Sequence, residues 1–116
     1  MALPKGQSGY RLAFRKYKWN AKQRKIRFDL TAAEFTSIVS KDCHYCGANP
    51  IKRKDIGSVW MPPMNGIDRV DNGKGYFLEN CVPCCSMCNR MKKDHYFSEF
   101  LEKVIQIYKK WVSPYD

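Results

Sequence analysis

The sequence predicts a small α+β domain pinned by a metal, and three observations predict it. Two CxxC pairs, Cys43 with Cys46 and Cys85 with Cys88, stand about forty residues apart. Between them a strand, a Gly-rich turn and a second strand lead into a helix that starts at the second pair. On either side, apolar residues recur at helical spacing. At 116 residues the chain is read as one domain over 1–116, with a basic N-terminal helix or arm in 1–30, a cysteine-bound core in 43–93 and a C-terminal helix in 97–112.

In the first element, Tyr10, Phe14, Tyr17 and Ala21 recur at steps of four, three and four. Arg11, Arg15, Lys18 and Lys22 repeat the pattern one position on, so an apolar stripe runs beside a basic one. Charge is concentrated here. Residues 1–30 hold nine bases, including Arg24 and Lys25, against Asp29 alone, whereas the other 86 residues hold twelve bases and ten acids in a chain of net charge +10. Such a stripe can follow a phosphate backbone through counterion release, although it also fits a merely solvated face. Tyr17 reads as a core residue, while Trp19 is open between packing and stacking on a base.

Ile26 to Leu30 reads as extended. Thr31 followed by Glu34 has capping-box spacing, so a helix is expected from there to about Ser40, burying Phe35, Ile38 and Val39. It delivers the chain to Cys43-His44-Tyr45-Cys46-Gly47, a tight turn of zinc-knuckle form. The partner pair has two registers, because Cys81, Cys84, Cys85 and Cys88 contain CxxC twice. Cys85 with Cys88 is preferred, since helix-forming residues follow directly; Cys81 and Cys84 are then strand residues, with Cys84 packed inside.

The chain shows neither the apolar region of a secretory signal nor a stretch long enough to span a bilayer, so no membrane partner is expected and thiolates binding structural Zn²⁺ are favoured over disulfides. Lys52 to Gly57 reads as a polar loop and Trp60 to Gly66 as an irregular approach. Ile67 to Val70 and Asn80 to Cys84 read as strands, and a helix is expected from Ser86. Ser98 is the expected cap of a last helix whose Phe100, Leu101, Val104, Ile105, Tyr108 and Trp111 share one broad face, with Glu99 and Glu102 early and Lys109 and Lys110 late, as the helix dipole favours. That face is read as a cover for the core, in preference to a dimer seam.

Gly66-Ile67-Asp68-Arg69-Val70-Asp71-Asn72, Gly73-Lys74-Gly75-Tyr76, Glu79-Asn80-Cys81-Val82-Pro83 and Cys85 to Lys92 together resemble the HNH endonuclease family in its zinc-containing, phage-like branch. The likeness has specific motifs over about 43–93 and extends loosely to both flanking helices. It implies a ββα-metal fold and an enzyme that cuts nucleic acid, DNA or RNA, with one divalent cation, Mg²⁺ or Mn²⁺. By that likeness, Asp68 and Asn89 hold the cation and Asn80 braces the loop between them. Arg69 and Lys92 then join Arg11, Arg15, Lys18, Lys22, Arg24 and Lys25 as expected nucleic-acid contacts, and the basic stripe is read as a binding face.

One position departs from the family. Where a His usually activates water, this chain has Arg69, whose guanidinium stays protonated and takes no proton. Arg69 is left the role of clamping a phosphate oxygen or steadying transition-state charge. A missing general base forfeits about 10²- to 10⁴-fold in rate. His44 reads as a knuckle residue and His95 lies six positions past Asn89. Asp71 is equally suited to orienting a metal-bound water or serving as a second ligand and to opening the Asn72-Gly73 turn.

Two classes therefore stand: an HNH-type endonuclease or nickase, which the Asp68, Asn80 and Asn89 set favours, and a catalytically degenerate zinc protein that binds nucleic acid structurally, for example in a ribosome. A monomer or a component of a nucleoprotein assembly is expected, in a reducing intracellular compartment such as the cytoplasm or a phage-infected cell. The acid-free run from Met1 to Phe28 leaves an organelle open.

Overall fold

The computed structural model describes residues 6–114. Its helices are α1 (Gln7–Gln23), α2 (Ala32–Val39), α3 (Ser86–Lys92) and α4 (Phe97–Trp111). Two small antiparallel sheets complete an α+β fold: β1 (Ile51–Lys52) with β2 (Pro63–Met64), and β3 (Gly66–Arg69) with β4 (Cys81–Cys84). Register in the second sheet sets Gly66 against Cys84 and Arg69 against Cys81.

The apolar stripe of α1 lies on α2, where Phe14 and Tyr17 hold their rings 5.6 and 5.3 Å from that of the fully buried Phe35. Tyr17 is thus a core residue, and its hydroxyl also accepts from the Ile67 amide at 3.3 Å, which ties α1 to β3. Gly9 is required where α1 crosses residues 60–62: a Cβ there would come within 2.5 Å of Pro62. Helix α1 ends in a Schellman arrangement, Ile26 N–H to Ala21 C=O and Lys25 N–H to Lys22 C=O, with Lys25 at φ +57°. The expected capping box is present, since Thr31 Oγ1 accepts from the Glu34 amide and Glu34 from that of Thr31. The extended stretch after α1 forms a single bridge, Phe28 to Tyr76.

Three expectations are corrected. Lys52, read as the start of a loop, and Pro63–Met64, read as irregular approach, lie in a short sheet in which Ile51–Lys52 pairs with Pro63–Met64. Asn80 closes a 3₁₀ turn (Leu78–Asn80) before β4 instead of opening the strand, because its side chain is engaged with the preceding loop. Helix α4 does not cover the core. It begins after Tyr96, not Ser98, with Glu99 accepting from the Tyr96 amide, and none of its residues is buried. Its first turn meets the body, where Phe97 and Phe100 place their rings 5.8 and 5.9 Å from that of Tyr45. The molecule is accordingly elongated, 61 × 28 × 21 Å.

Candidate metal centre and cleft

The knuckle folds as its residue types dictate. The Gly47 amide bonds back to Cys43 C=O, with Gly47 at φ +78°, and the Cys43 amide bonds to Ala48 C=O. On the other side, Cys85 caps α3 by accepting from the Cys88 amide at 3.4 Å. The sulfurs of Cys43, Cys46, Cys85 and Cys88 lie within 4.8 Å of one another, and all six cysteines are free thiols. Cys46 Sγ and Cys85 Sγ are 3.7 Å apart, close to the edge of about 3.8 Å that Zn–S bonds of about 2.3 Å give a tetrahedron. The ambiguous register is resolved by position: Cys81 and Cys84 are buried strand residues outside the cluster.

The thiols differ in their electrostatics one by one. Burial pushes Cys81 up to about 11 and Cys84 up to about 12, so both stay protonated at neutral pH. Burial also opposes ionisation of Cys43, but backbone N–H groups of Cys85, Cys46 and Tyr45 outweigh it and hold that thiol at about 6. Burial drives Cys88 the other way, helped by the sulfurs of Cys46 and Cys85. Four thiols crowded at one point fit a divalent cation, which would relieve the mutual repulsion of their thiolates.

Beside the cluster, β3 and α3 bring Asp68 and Asn89 to one open cleft of about 440 Å³, with Arg69, Asn72 and Tyr76 along its walls. Arg24, Lys93 and Asp94 add charge at its edge. Asp68 is 3% exposed. Its Oδ2 accepts from the Tyr45 hydroxyl at 2.5 Å and lies 3.1 Å from Lys92 Nζ, which leaves Oδ1 as the oxygen available to an ion. Burial, and then Asp68 itself, push the Tyr45 phenol upward, so the hydroxyl keeps its proton. A carboxylate and a side-chain amide on one cleft are donors suited to a hard, partly hydrated cation.

Lys92 is fully buried, and its ammonium forms no hydrogen bond among the described residues although it lies in ion-pair range of Asp68. The expectation that it contacts nucleic acid is therefore corrected: a phosphate has no access to it, because the fourth residue of the Asn89 turn faces inward beneath β3. Arg69 lines the cleft but is occupied at rest, donating through Nη1 to the carbonyls of Asn72 and Lys74 and lying 5.3 Å over the Tyr76 ring. Asn80 braces the same loop: its Nδ2 donates to Asp71 C=O and Gly75 C=O while its Oδ1 accepts from the Asp71 amide. Asp71 is the turn residue, its Oδ1 accepting from the Gly73 amide.

His44 and His95 are both exposed and line no part of the cleft. Arg11, Arg15, Lys18, Lys22, Arg24 and Lys25 are all exposed on or just after α1. Sequence reasoning missed Tyr45, Tyr76 and Asp94. The Tyr45 position inside the CxxC turn signals its role only once β3 is known to run beneath the knuckle.

The fold and the cluster together define a small α+β scaffold with four cysteines gathered at one point. The HNH restriction endonuclease PacI superimposes with a TM-score of 0.60 at 24% identity, over 88% of this chain and 78% of PacI, a likeness of fold. The uncharacterized protein R423 of Acanthamoeba polyphaga mimivirus is 39% identical over 79 residues. That alignment takes in 68% of this chain and 13% of the viral protein, so the chain spans about an eighth of its relative's length. No family model matches the chain. Among the described residues no helix is long and apolar enough to cross a membrane.

Proposed function

We propose that the protein is a metal-dependent, HNH-type endonuclease or nickase that hydrolyses phosphodiester bonds, with Zn²⁺ on Cys43, Cys46, Cys85 and Cys88 as a staple. The observation that carries this reading is the meeting of Asp68 and Asn89 on one cleft whose edge is basic. Mg²⁺ or Mn²⁺ held by those two residues would stabilise charge on the phosphate and on the leaving oxygen. Tyr45 and Lys92 fix the Asp68 carboxylate from behind. Asn80 sets the loop whose Asn72 and Lys74 carbonyls hold Arg69 at the end of β3, and Arg69 is placed to turn a guanidinium N–H toward a phosphate oxygen. The exposed bases of α1, Arg11 to Lys22 with Arg24 and Lys25, follow the strand outside the cleft.

No histidine lines the cleft among the described residues, so turnover slower by about 10²- to 10⁴-fold than that of a His-equipped site is expected. A second reading, a scaffold that retains only nucleic-acid binding, is favoured by the cation already paired with Asp68. Purified protein incubated with plasmid and with RNA, in Mg²⁺, Mn²⁺ or EDTA, beside Asn89→Ala, which unlike Asp68→Ala strands no buried charge, decides between them. Divalent-dependent nicking that the substitution abolishes supports the nuclease; tight binding without cleavage under any metal sinks it.

A further inference from the structure

A second hollow, of about 470 Å³, opens on α1 outside the cleft. Trp19, Ile26 and Phe28 supply its apolar surface, Arg15, Lys18 and Lys22 supply its charge, and no acid lines it. Trp19 is 62% exposed, an unusual position for so large an apolar ring. The hollow and the cleft are lined by different residues but are neighbours. Phe28, in the hollow, holds its ring 5.5 Å from that of Tyr76, in the cleft, and Arg24 of the cleft follows Lys22 of the hollow by two residues.

We infer that this hollow receives an unpaired nucleotide of the substrate, its base stacked on Trp19 and its flanking phosphates held by Arg15, Lys18 and Lys22. A flat aromatic surface ringed by cations matches a ligand that is itself a flat ring on an anionic backbone. In a duplex the base faces are covered by their neighbours, so only single-stranded, looped or opened nucleic acid can offer one. The charge complementarity is one-sided enough to disfavour a second copy of this chain, which is itself strongly basic. The inference rests on the nucleic-acid reading of the cleft but not on cleavage, and it makes the substrate class a strand with unpaired bases.

The test is binding by fluorescence anisotropy of the zinc-loaded protein without added Mg²⁺ or Mn²⁺, using labelled single-stranded DNA, single-stranded RNA and a blunt duplex of equal length. Wild type is expected to prefer a single strand. Trp19→Ala should lose about ten-fold or more on that strand while leaving duplex affinity unchanged; Trp19→Phe should retain most of it. Because Trp19 is exposed, the melting temperature should not move. Equal single-strand binding by wild type and Trp19→Ala, or an equal loss on strand and duplex, overturns the inference while the nuclease reading stands. Failure to bind any nucleic acid overturns both. The better of the DNA and RNA arms identifies the polymer.

Discussion

The ammonium of Lys92 lies 3.1 Å from the carboxylate of Asp68, and both groups are sealed from solvent, at 0% and 3% exposure. The pair joins the last turn of α3 to the middle of β3. Asn89 stands three positions before Lys92 on the same helix face, so the bond that anchors the helix also sets where the Asn89 amide meets the cleft. Tyr45 closes the arrangement from the knuckle. A charge pair within the fold and, in the proposed reading, a donor pair for an ion thus share the same carboxylate.

Removing one member of such a pair strands a buried charge. Lys92→Met is expected to destabilise the protein by about 3–5 kcal/mol, whereas Lys92→Met combined with Asp68→Asn should cost much less, because no charge is then left unpaired. Urea unfolding of the two single variants and the double variant gives the coupling. A double variant as unstable as the sum of the singles would mean that the two groups do not act as a pair.

The choice of cysteine register is open to a direct measurement. Cys43→Ser or Cys88→Ser should lose the bound zinc and unfold the domain, since closure of the site is part of folding. Cys81→Ser and Cys84→Ala should keep one zinc per chain, for these thiols lie outside the cluster and are held protonated by burial. Metal content by mass spectrometry under native conditions distinguishes the two sets. Loss of zinc from Cys81→Ser would show that the other register binds.

The parts of the site that are periodic or motif-like were legible in the sequence. The Thr31 capping box, the knuckle glycine and the Cys85 start of α3 are each fixed by neighbours a few residues away, and each is found as expected. Lys92 was not legible in this way. Its spacing from Asn89 places it on the helix, but whether that side chain meets solvent or β3 depends on a contact 24 residues distant in sequence. Arg69 differs again: its missing proton-accepting role follows from its chemistry, but its bonds to Asn72 and Lys74 depend on how the Gly73 to Gly75 turn closes.

Asn80 tests how strongly that loop is held. Its amide faces two carbonyls with its NH₂ group and one N–H with its oxygen. In Asn80→Asp a carboxylate would turn an anionic oxygen toward the carbonyls of Asp71 and Gly75, at a cost of about 2–4 kcal/mol at neutral pH. The folded-state pKa of the introduced acid should lie above its unfolded value of about 3.9. The penalty is therefore small at or below that value and grows as pH rises from it to the folded pKa, so the gap to wild type should narrow on acidification. Chemical denaturation at pH 4.5 and pH 7.5 reads the difference, and a gap that is constant or widens toward acid contradicts the bonding described.

Helix α4 shows what an amphipathic stripe does and does not determine. The spacing of Leu101, Val104, Ile105 and Tyr108 makes one face apolar, yet nothing in that spacing says which surface will cover it, and in the structure none does. Truncating an exposed side chain removes little buried area, so Leu101→Ala and Val104→Ala should each change stability by less than about 1 kcal/mol. Phe35→Ala, which empties the centre of the core, should cost about 3–5 kcal/mol. Thermal melts of the three variants at low protein concentration compare them directly. If the α4 substitutions prove as costly as the core one, the apolar face is covered in solution, and a melting temperature that rises with protein concentration would show that a second copy covers it.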